Sequence, residues 1–209
     1  MTDTQETQLA INTEYVDLGL PSGLKWAKTN LGAEKESDYG IMFAWGQTDN
    51  AVATNFVDSE NYPYNWASYK YYNGTSNTLT KYCTNSSYGT VDNKTVLDPE
   101  DDAATQIMGS DWRIPTKDEI QELIDNTDSE WVEDFNGTGV NGRKFTSKAD
   151  TSKYIFIPAA GCCSNGSVYN VGYYGYVWSS SLGTSYCPRS PYADISIFLK
   201  IYPFRIEDS

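Results

Sequence analysis

Four cysteines are the residues of this sequence best suited to redox or metal chemistry: Cys83, Cys162, Cys163 and Cys187. No two of them form a CxxC pair, so the spacing excludes a zinc ribbon and a thioredoxin-type redox site. The four could form two disulfides, but nothing in their spacing requires it. The chain contains no histidine, which excludes catalytic triads and histidine-ligated zinc or copper sites.

An acidic cluster, Asp98 and 100–102, is the next candidate for chemistry. Its spacing is not that of an EF-hand loop, and the chain lacks the Glu-Pro-Asn and Gln-Pro-Asp triplets of calcium-dependent sugar-binding proteins. Acidic residues at the start of a helix are explained by the helix dipole. We therefore predict no metal ion, no cofactor and no catalytic residue.

The stretch 169–181 reads YNVGYYGYVWSSS and combines four tyrosines and a tryptophan with two glycines and no charge. Tyr, Ser, Gly and Asn dominate antibody paratopes, because tyrosine offers rigid amphipathic surface and the small residues offer adaptable hydrogen bonds. This composition favours a recognition surface over a core strand.

The composition changes sharply after residue 161. Residues 1–161 hold 28 Lys, Glu, Gln and Met residues, whereas 162–199 hold none, although the earlier rate predicts about six or seven. Codons that end in C and vary at their first two positions explain this composition, since they encode Tyr, Ser, Asn, Asp, Gly and Cys but never Lys, Glu, Gln, Met or Trp. Trp178 is the exception within 162–199. The alternative is a Tyr/Ser-rich region whose bias is accidental.

The remaining pattern predicts an α+β fold with two helices, a small antiparallel sheet and long loops. Residues 1–12 are predicted to be a disordered tail and 13–209 a single domain. Helices are predicted from Asp98 as cap to Gly109 and from the capping box of Thr116 and Glu119 onward. In the first half we expect two strands around a turn at 21–23 within 14–31, a buried strand at 39–46 and long loops at 47–97. In the second half we expect four strands, at 142–147, 154–161, 176–181 and 193–206.

The net charge is −13 and no basic cluster stands out, which argues against nucleic acid and anionic membranes as partners. No apolar run approaches the length of a membrane helix, so no membrane insertion is expected. Trp112 and Trp178 are predicted to lie in the core, and Arg113 to form a structural ion pair or hydrogen bonds to the backbone.

Several motifs together resemble the variable proteins of diversity-generating retroelements and the related paralogous domains of gut Bacteroidetes and Fibrobacter. They cover roughly residues 14–198 and include YVDLGLPSGLKWAKTNLG, YGIMFAWGQT, DDAATQIMGSDWRIPTKDEIQELI, NGRKFTS, IFIPAAG and YVWSSSLGTS. The resemblance implies a C-type lectin fold of the formylglycine-generating-enzyme branch. It also implies that mutagenic reverse transcription rewrites a C-terminal variable region, here 162–199, to bind a ligand.

By this resemblance the fixed framework comprises Ala159, Ala160, Gly161, Gly172, Gly175 and Trp178–Ser181. The varied, ligand-binding positions are Cys162, Cys163, Ser164, Tyr169, Tyr173, Tyr174, Tyr176, Val177, Gly183, Tyr186, Arg189, Tyr192, Asp194 and Ser196. All of these residue types are reachable by codons ending in C. We expect about one in three to be buried, because strands alternate their faces. The ending FLKIYPFRIEDS departs from the family's usual closing hairpin, and Lys200 breaks the coding rule.

The resemblance implies a receptor or adhesin that binds a protein or glycan on another cell or particle. It places the protein outside the cell or on its surface, with a phage particle as the alternative. Two other functions stay open. One is a copper-dependent oxidase of the formylglycine-generating type, for which Cys162, Cys163 and Cys187 are the candidates; the other is a structural surface domain with a fixed protein partner.

Overall fold

The computed structural model describes residues 12–48, 69–74, 78–164, 167–183 and 196–201. Within these ranges the chain is mixed α and β, with two α-helices and small antiparallel sheets, which confirms the predicted α+β class. The helices are α1 (Ala103–Met108) and α2 (Lys117–Asn126). The strands are β1 (Tyr15–Val16), β2 (Trp26–Ala27), β3 (Thr127–Val132), β4 (Gly142–Ser147), β5 (Tyr154–Pro158), β6 (Cys162–Ser164), β7 (Ser167–Tyr169), β8 (Gly175–Leu182) and β9 (Ser196–Ile201).

The N-terminal hairpin pairs β1 with β2 in antiparallel register, with Tyr15 opposite Ala27. The backbone N–H of Gly23 donates to the carbonyl of Leu20 at 2.9 Å, and Gly23 has a φ of 74°, a conformation that glycine adopts without steric cost. The predicted turn at 21–23 is therefore confirmed, with only two residues in each strand.

Helix α2 begins where the sequence predicted. The Thr116 side chain accepts from the backbone of Glu119, and the Glu119 side chain accepts in return from the backbone of Thr116. This reciprocal box satisfies two of the backbone N–H groups that a helix start leaves without intrahelical partners. The apolar stripe then buries Ile120 and Leu123, and Ile124 packs against them.

The first predicted helix is shorter than expected and its cap was wrong. Pro99–Asp101 forms a 3₁₀ turn, and α1 begins only after Asp102. The Asp102 carboxylate accepts from the Thr105 backbone N–H at 3.0 Å, whereas Asp98 makes no side-chain cap hydrogen bond. Several acidic residues in a row offered competing caps, and tertiary contacts selected the last one.

The central sheet has the order β3-β4-β5 and is antiparallel throughout. Strand β4 has the predicted bounds, and its Phe145 is fully buried. Strand β3 was not predicted, because it follows α2 with no turn residue between them. Strand β9 pairs with β8 across an irregular register between Trp178 and Leu182.

The apolar run at 39–46 was predicted to be a buried strand, and this prediction was wrong. The segment forms no strand, although Trp45 is only 3% exposed. Its backbone follows an irregular course in which Gly46 adopts a φ of 73°. A short apolar run cannot distinguish a strand from a loop that buries aromatic side chains.

Among the described residues, buried side chains form two clusters. An aromatic cluster contains Trp45, Tyr69, Tyr71, Tyr72, Leu79, Tyr82, Cys83, Leu97 and Leu182. An aliphatic cluster contains Leu18, Leu20, Ile120, Leu123, Phe145, Ile155 and Ile157. Strand β8 contacts both, because Trp178 packs against the aromatic cluster and Val177 against the aliphatic one. In the described part of the chain, no helix has the length and apolar character needed to span a bilayer.

Candidate functional site

The predicted recognition surface begins with the hairpin of β6 and β7, in which Cys162 lies opposite Tyr169. Gly161 precedes it with a φ of 72°. A Cβ atom at Gly161 would lie 2.1 Å from the Tyr169 carbonyl oxygen, so any other residue would force the hairpin to shift. Glycine is therefore required at this point for the hairpin to fold back so closely.

A turn at 170–174 follows the hairpin and is held by backbone hydrogen bonds. The Asn170 carbonyl accepts from the N–H groups of Tyr173 at 3.1 Å and Tyr174 at 3.0 Å. The Gly172 N–H donates to the Ala159 carbonyl at 2.8 Å, and the Asn141 amide donates to the Gly172 carbonyl at 3.1 Å. These hydrogen bonds hold the turn against Ala159, which precedes the hairpin, and against Asn141, which precedes β4.

The predicted ligand-binding positions differ in exposure. Tyr173 is 69% exposed and Tyr169 is 50% exposed, so both present most of a ring to solvent. The remaining predicted positions whose burial is described are all half-buried: Cys162, Tyr174, Tyr176, Val177 and Gly183. None of these seven is fully buried, where about one in three was expected.

The other predicted positions are described less fully. The backbones of Cys163 and Ser164 lie in β6, and that of Ser196 begins β9. Four predicted positions lie outside the described residues: Tyr186, Arg189, Tyr192 and Asp194. Cys187, one of the three cysteines of the oxidase alternative, also lies outside them.

The predicted framework stretch Trp178–Ser181 is anchored on both sides. The Trp178 indole donates to the Phe43 carbonyl at 2.8 Å, and the Trp45 indole donates to the Ser179 carbonyl at 2.8 Å. The backbone carbonyl of Ser180 accepts from the Leu97 N–H, and the backbone N–H of Ser180 donates to the Pro115 carbonyl. Ser179 and Ser180 are only 0% and 3% exposed, so their small side chains suit a strand that is buried where it crosses these loops.

The two tryptophans predicted to be core residues are both half-buried. Trp178 packs against the aromatic cluster. Trp112 belongs to neither cluster and instead lines an apolar cavity beside β8. Arg113 forms the predicted ion pair, since its guanidinium donates two hydrogen bonds to the Glu119 carboxylate. That hydrogen-bonded pairing lowers the pKa of Glu119 to about 2.

Lys81 lies at the centre of the acidic cluster. Carboxylate oxygens of Asp98, Glu100 and Asp101 lie within 4.8 Å of one another. The Lys81 ammonium contacts all three, at 2.6, 3.1 and 2.5 Å respectively. The ammonium supplies positive charge to all three of these carboxylates.

Asp101 is the centre of this network, with a side chain only 3% exposed. It also accepts from Lys70 at 2.6 Å and from the Tyr82 hydroxyl at 2.6 Å. Burial alone would raise the pKa of Asp101, but the hydrogen bonds from Lys70, Lys81 and Tyr82 outweigh it and hold that pKa below its ordinary value. Lys70 and Lys81 are 31 and 20 residues away in the sequence, so no local motif indicated this centre.

An apolar cavity of about 550 Å³ lies beside β8. Cys162, Tyr176 and Val177, all predicted ligand-binding positions, form part of its wall. Trp26 and Gln47 also line it and were missed at the sequence level, because each lies in a stretch that predicted only structure. Comparisons of the chain with protein-family models, with curated proteins and with solved structures found no match in any of the three.

Proposed function

We propose that the protein is a ligand-binding module of the receptor or adhesin type, whose varied face is displayed on a C-type lectin scaffold. The observation that carries the proposal is the pairing of exposed tyrosines with a tightly held backbone. Tyr173 and Tyr169 are 69% and 50% exposed, and the turn between them is hydrogen-bonded to Ala159 and Asn141. Rigid backbone under exposed tyrosine lowers the entropy lost on binding.

The charge distribution supports the same function. Residues 159–183 contain no acidic or basic side chain, so a partner would meet aromatic rings, hydroxyls and backbone groups. This part of the proposed face makes contacts through apolar area and hydrogen bonds, whereas Arg189 and Asp194 are the charged positions of the predicted set. The proposed ligand is a protein or glycan on another cell or particle, and the proposed location is extracellular or on the cell surface, or on a phage particle.

The C-type lectin fold is proposed on the strength of the motif resemblance. Two short helices, small antiparallel sheets and long irregular segments agree with it. Helix α2 packs beside β4 and β8, and this gives the C-terminal strands a fixed base. The framework at Trp178–Ser181, whose two central serines are buried, would supply the invariant support that a varied face needs.

The sharpest test of diversification requires no ligand. The gene is sequenced deeply in a growing population, together with its genomic surroundings. We expect substitutions at the predicted varied positions, none at Gly161, Gly172 or Ser179, and a nearby reverse transcriptase with a near-identical repeat that differs at adenines. Substitutions spread evenly over the chain, or the absence of such a repeat, would contradict the proposal and favour a fixed partner.

Binding is tested with a Tyr169→Ala/Tyr173→Ala double variant on glycan and protein arrays. Tyr15→Ala is the matched control, because Tyr15 is 57% exposed but lies in β1, outside the variable region. We expect the double variant to lose the array signals that the unmodified protein and the control share. Retention of those signals would place the binding surface elsewhere.

A further inference from the structure

The cavity beside β8 takes its wall from both the predicted framework and the predicted varied positions. Its volume is about 550 Å³, within the range of ligand-binding clefts. Three framework residues and three varied residues form part of its wall: Ala160, Gly161, Trp178, Cys162, Tyr176 and Val177. A guest in this cavity would therefore meet a fixed side and a side that differs among diversified copies.

The rest of the wall contains large apolar side chains that stay half-buried. They include Ile41, Met42, Phe43, Met108 and Trp112. Side chains of this kind are more often fully buried, and an accessible apolar surface marks a place where another molecule binds. Because the Trp178 indole donates to the Phe43 carbonyl at 2.8 Å, β8 and the segment 39–46 are held together without a ligand.

The cavity is continuous with the exposed part of the proposed recognition face. Cys162 lies opposite Tyr169 in the hairpin of β6 and β7, and residues directly opposite each other in an antiparallel pair share a face. Cys162 lines the cavity, whereas Tyr169 is 50% exposed. One face of this hairpin therefore runs from an exposed tyrosine to the cavity wall.

The polar side chains among the described residues of the wall are poorly placed to bind a sugar. The Asn30 amide and the Thr29 hydroxyl each donate to a backbone carbonyl, at 3.0 and 3.3 Å. The Arg113 guanidinium is paired with Glu119, and Gln47 is only 5% exposed. Sugar hydroxyls that entered the cavity would lose hydrogen bonds to water and find few replacements, which is unfavourable.

We propose that the ligand of the recognition face is a protein that inserts a large apolar side chain into this cavity. The inference rests on the proposed function and narrows its ligand from a protein or glycan to a protein. The inserted side chain is the anchor of the contact, and the exposed tyrosines Tyr169 and Tyr173 lie outside the cavity and contact the surface around the anchor. A buried anchor surrounded by contacts that exclude water is the usual arrangement of the residues that dominate protein–protein binding.

The probe is N-acetyl-L-tryptophanamide, compared with N-acetyl-L-alaninamide and methyl β-D-glucopyranoside by NMR titration of the isotope-labelled full chain. All three are uncharged, and the first two differ only in the side chain. We expect the tryptophanamide to bind at least about tenfold more tightly than either of the others, the lower end of what burial of one large apolar side chain contributes. Equal affinities, tighter binding of the glucoside, or no binding of the tryptophanamide would overturn the proposal; the last result is also what a cavity filled by another segment of this chain would give.

Two variants with matched controls locate the site. Ala104 is half-buried on α1 and lines the cavity, so Ala104→Leu should abolish binding of the tryptophanamide, whereas Gln106→Leu, at an exposed position of α1 outside the wall, should preserve it. Tyr176→Ala removes part of the wall and should weaken binding about threefold or more. Tyr154→Ala, at a half-buried position of β5 outside the wall, should not. An equal loss in a variant and its control would contradict the site, and if a substitution unfolds the chain, the three probes on the unmodified protein still decide.

The arrays separate failure of the anchor from failure of the recognition function. Protein-array signals shared by the unmodified protein and Gln106→Leu should be lost by Ala104→Leu. If the Tyr169→Ala/Tyr173→Ala double variant loses them but Ala104→Leu keeps them, the recognition function stands and the anchor is overturned. Signals confined to glycans would also overturn the anchor. Retention of the signals by the double variant would instead overturn the recognition face, on which the anchor depends.

Discussion

The molecule has two tyrosine-rich regions that use the same residue in opposite ways. In the aromatic cluster the hydroxyls of Tyr69, Tyr71 and Tyr82 donate to the Trp45 carbonyl, the Gly46 carbonyl and the Asp101 carboxylate at 2.7, 2.7 and 2.6 Å. All three rings are at most 4% exposed. Their edges meet other rings at centroid distances of 5.0–5.5 Å, a favourable aromatic geometry.

The turn at 170–174 and the hairpin before it present the contrast. Tyr169 and Tyr173 expose 50% and 69% of their surface, while the backbone beneath them carries the hydrogen bonds. In the first region side chains stabilise the backbone, and in the second the backbone supports side chains that are largely exposed. Tyrosine content alone therefore does not distinguish a core from an exposed surface; the burial of each ring does.

The largest expected effect is at the centre of the buried region. Asp101→Asn removes the charge that pairs with Lys70 and Lys81, and we expect the free energy of unfolding to fall by about 3 kcal/mol. Asp128→Asn, on the exposed edge of β3, should change it by less than about 0.5 kcal/mol. Urea denaturation measures both. A loss at Asp101 no larger than that of the control would show that the buried network is not what stabilises this region.

Low pH should lower the free energy of unfolding through the Asp101 network and through Glu119 at the start of α2. The folded pKa values of Asp101, Asp98 and Glu119 are lowered, so their contribution is complete above the unfolded values of about 4 and is lost as the pH falls through the folded ones. We expect the free energy of unfolding to decline between about pH 5 and pH 2. Asp101→Asn should make that decline shallower, because one proton fewer is taken up on unfolding. Parallel pH profiles for the variant and the unmodified protein would contradict the assignment.

A matched deletion of one hydroxyl compares the two regions directly. Tyr82→Phe leaves Asp101 and the backbone N–H of Asp98, which donates to the Tyr82 hydroxyl at 2.9 Å, without that partner. We expect a loss of about 2 kcal/mol, the usual cost for a buried hydrogen bond to a charged group. Tyr173→Phe should change the free energy of unfolding by less than about 0.5 kcal/mol. Similar losses in the two variants would remove the distinction between the regions.

Local chemistry made part of the fold predictable. The capping box at Thr116 and Glu119 and the turn at 21–23 were correctly predicted, because the residues that determine each lie within a few positions of one another. The bounds of β4 were also predicted from its own composition. The segment 39–46 was predicted wrongly, since Trp45 is buried against residues distant in the sequence while the segment itself pairs with no strand.

The less predictable features are those built from distant residues. Asp101 was interpreted only as part of a helix start, and nothing near it in the sequence indicated Lys70 or Lys81 as partners. The cavity is equally non-local, since Trp26 and Gln47 reach it from different segments. The predicted varied positions came from the resemblance to a known family, with which the residue types of 162–199 agree, and their role stays a prediction.

The smallest expected effect concerns the backbone beneath the exposed tyrosines. Gly161 and Gly172 have similar positive φ values of 72° and 79°, so alanine is strained at both by about 1 kcal/mol. A Cβ at Gly172 meets nothing within 4 Å, whereas one at Gly161 meets the Tyr169 carbonyl oxygen at 2.1 Å. Gly161→Ala should therefore cost about 1 kcal/mol more than Gly172→Ala in urea denaturation, because the hairpin must shift to relieve the clash. Since that shift moves Tyr169, Gly161→Ala should also weaken array binding that Gly172→Ala preserves; equal behaviour of the two variants would mean that the close approach of this hairpin does not position the tyrosine face.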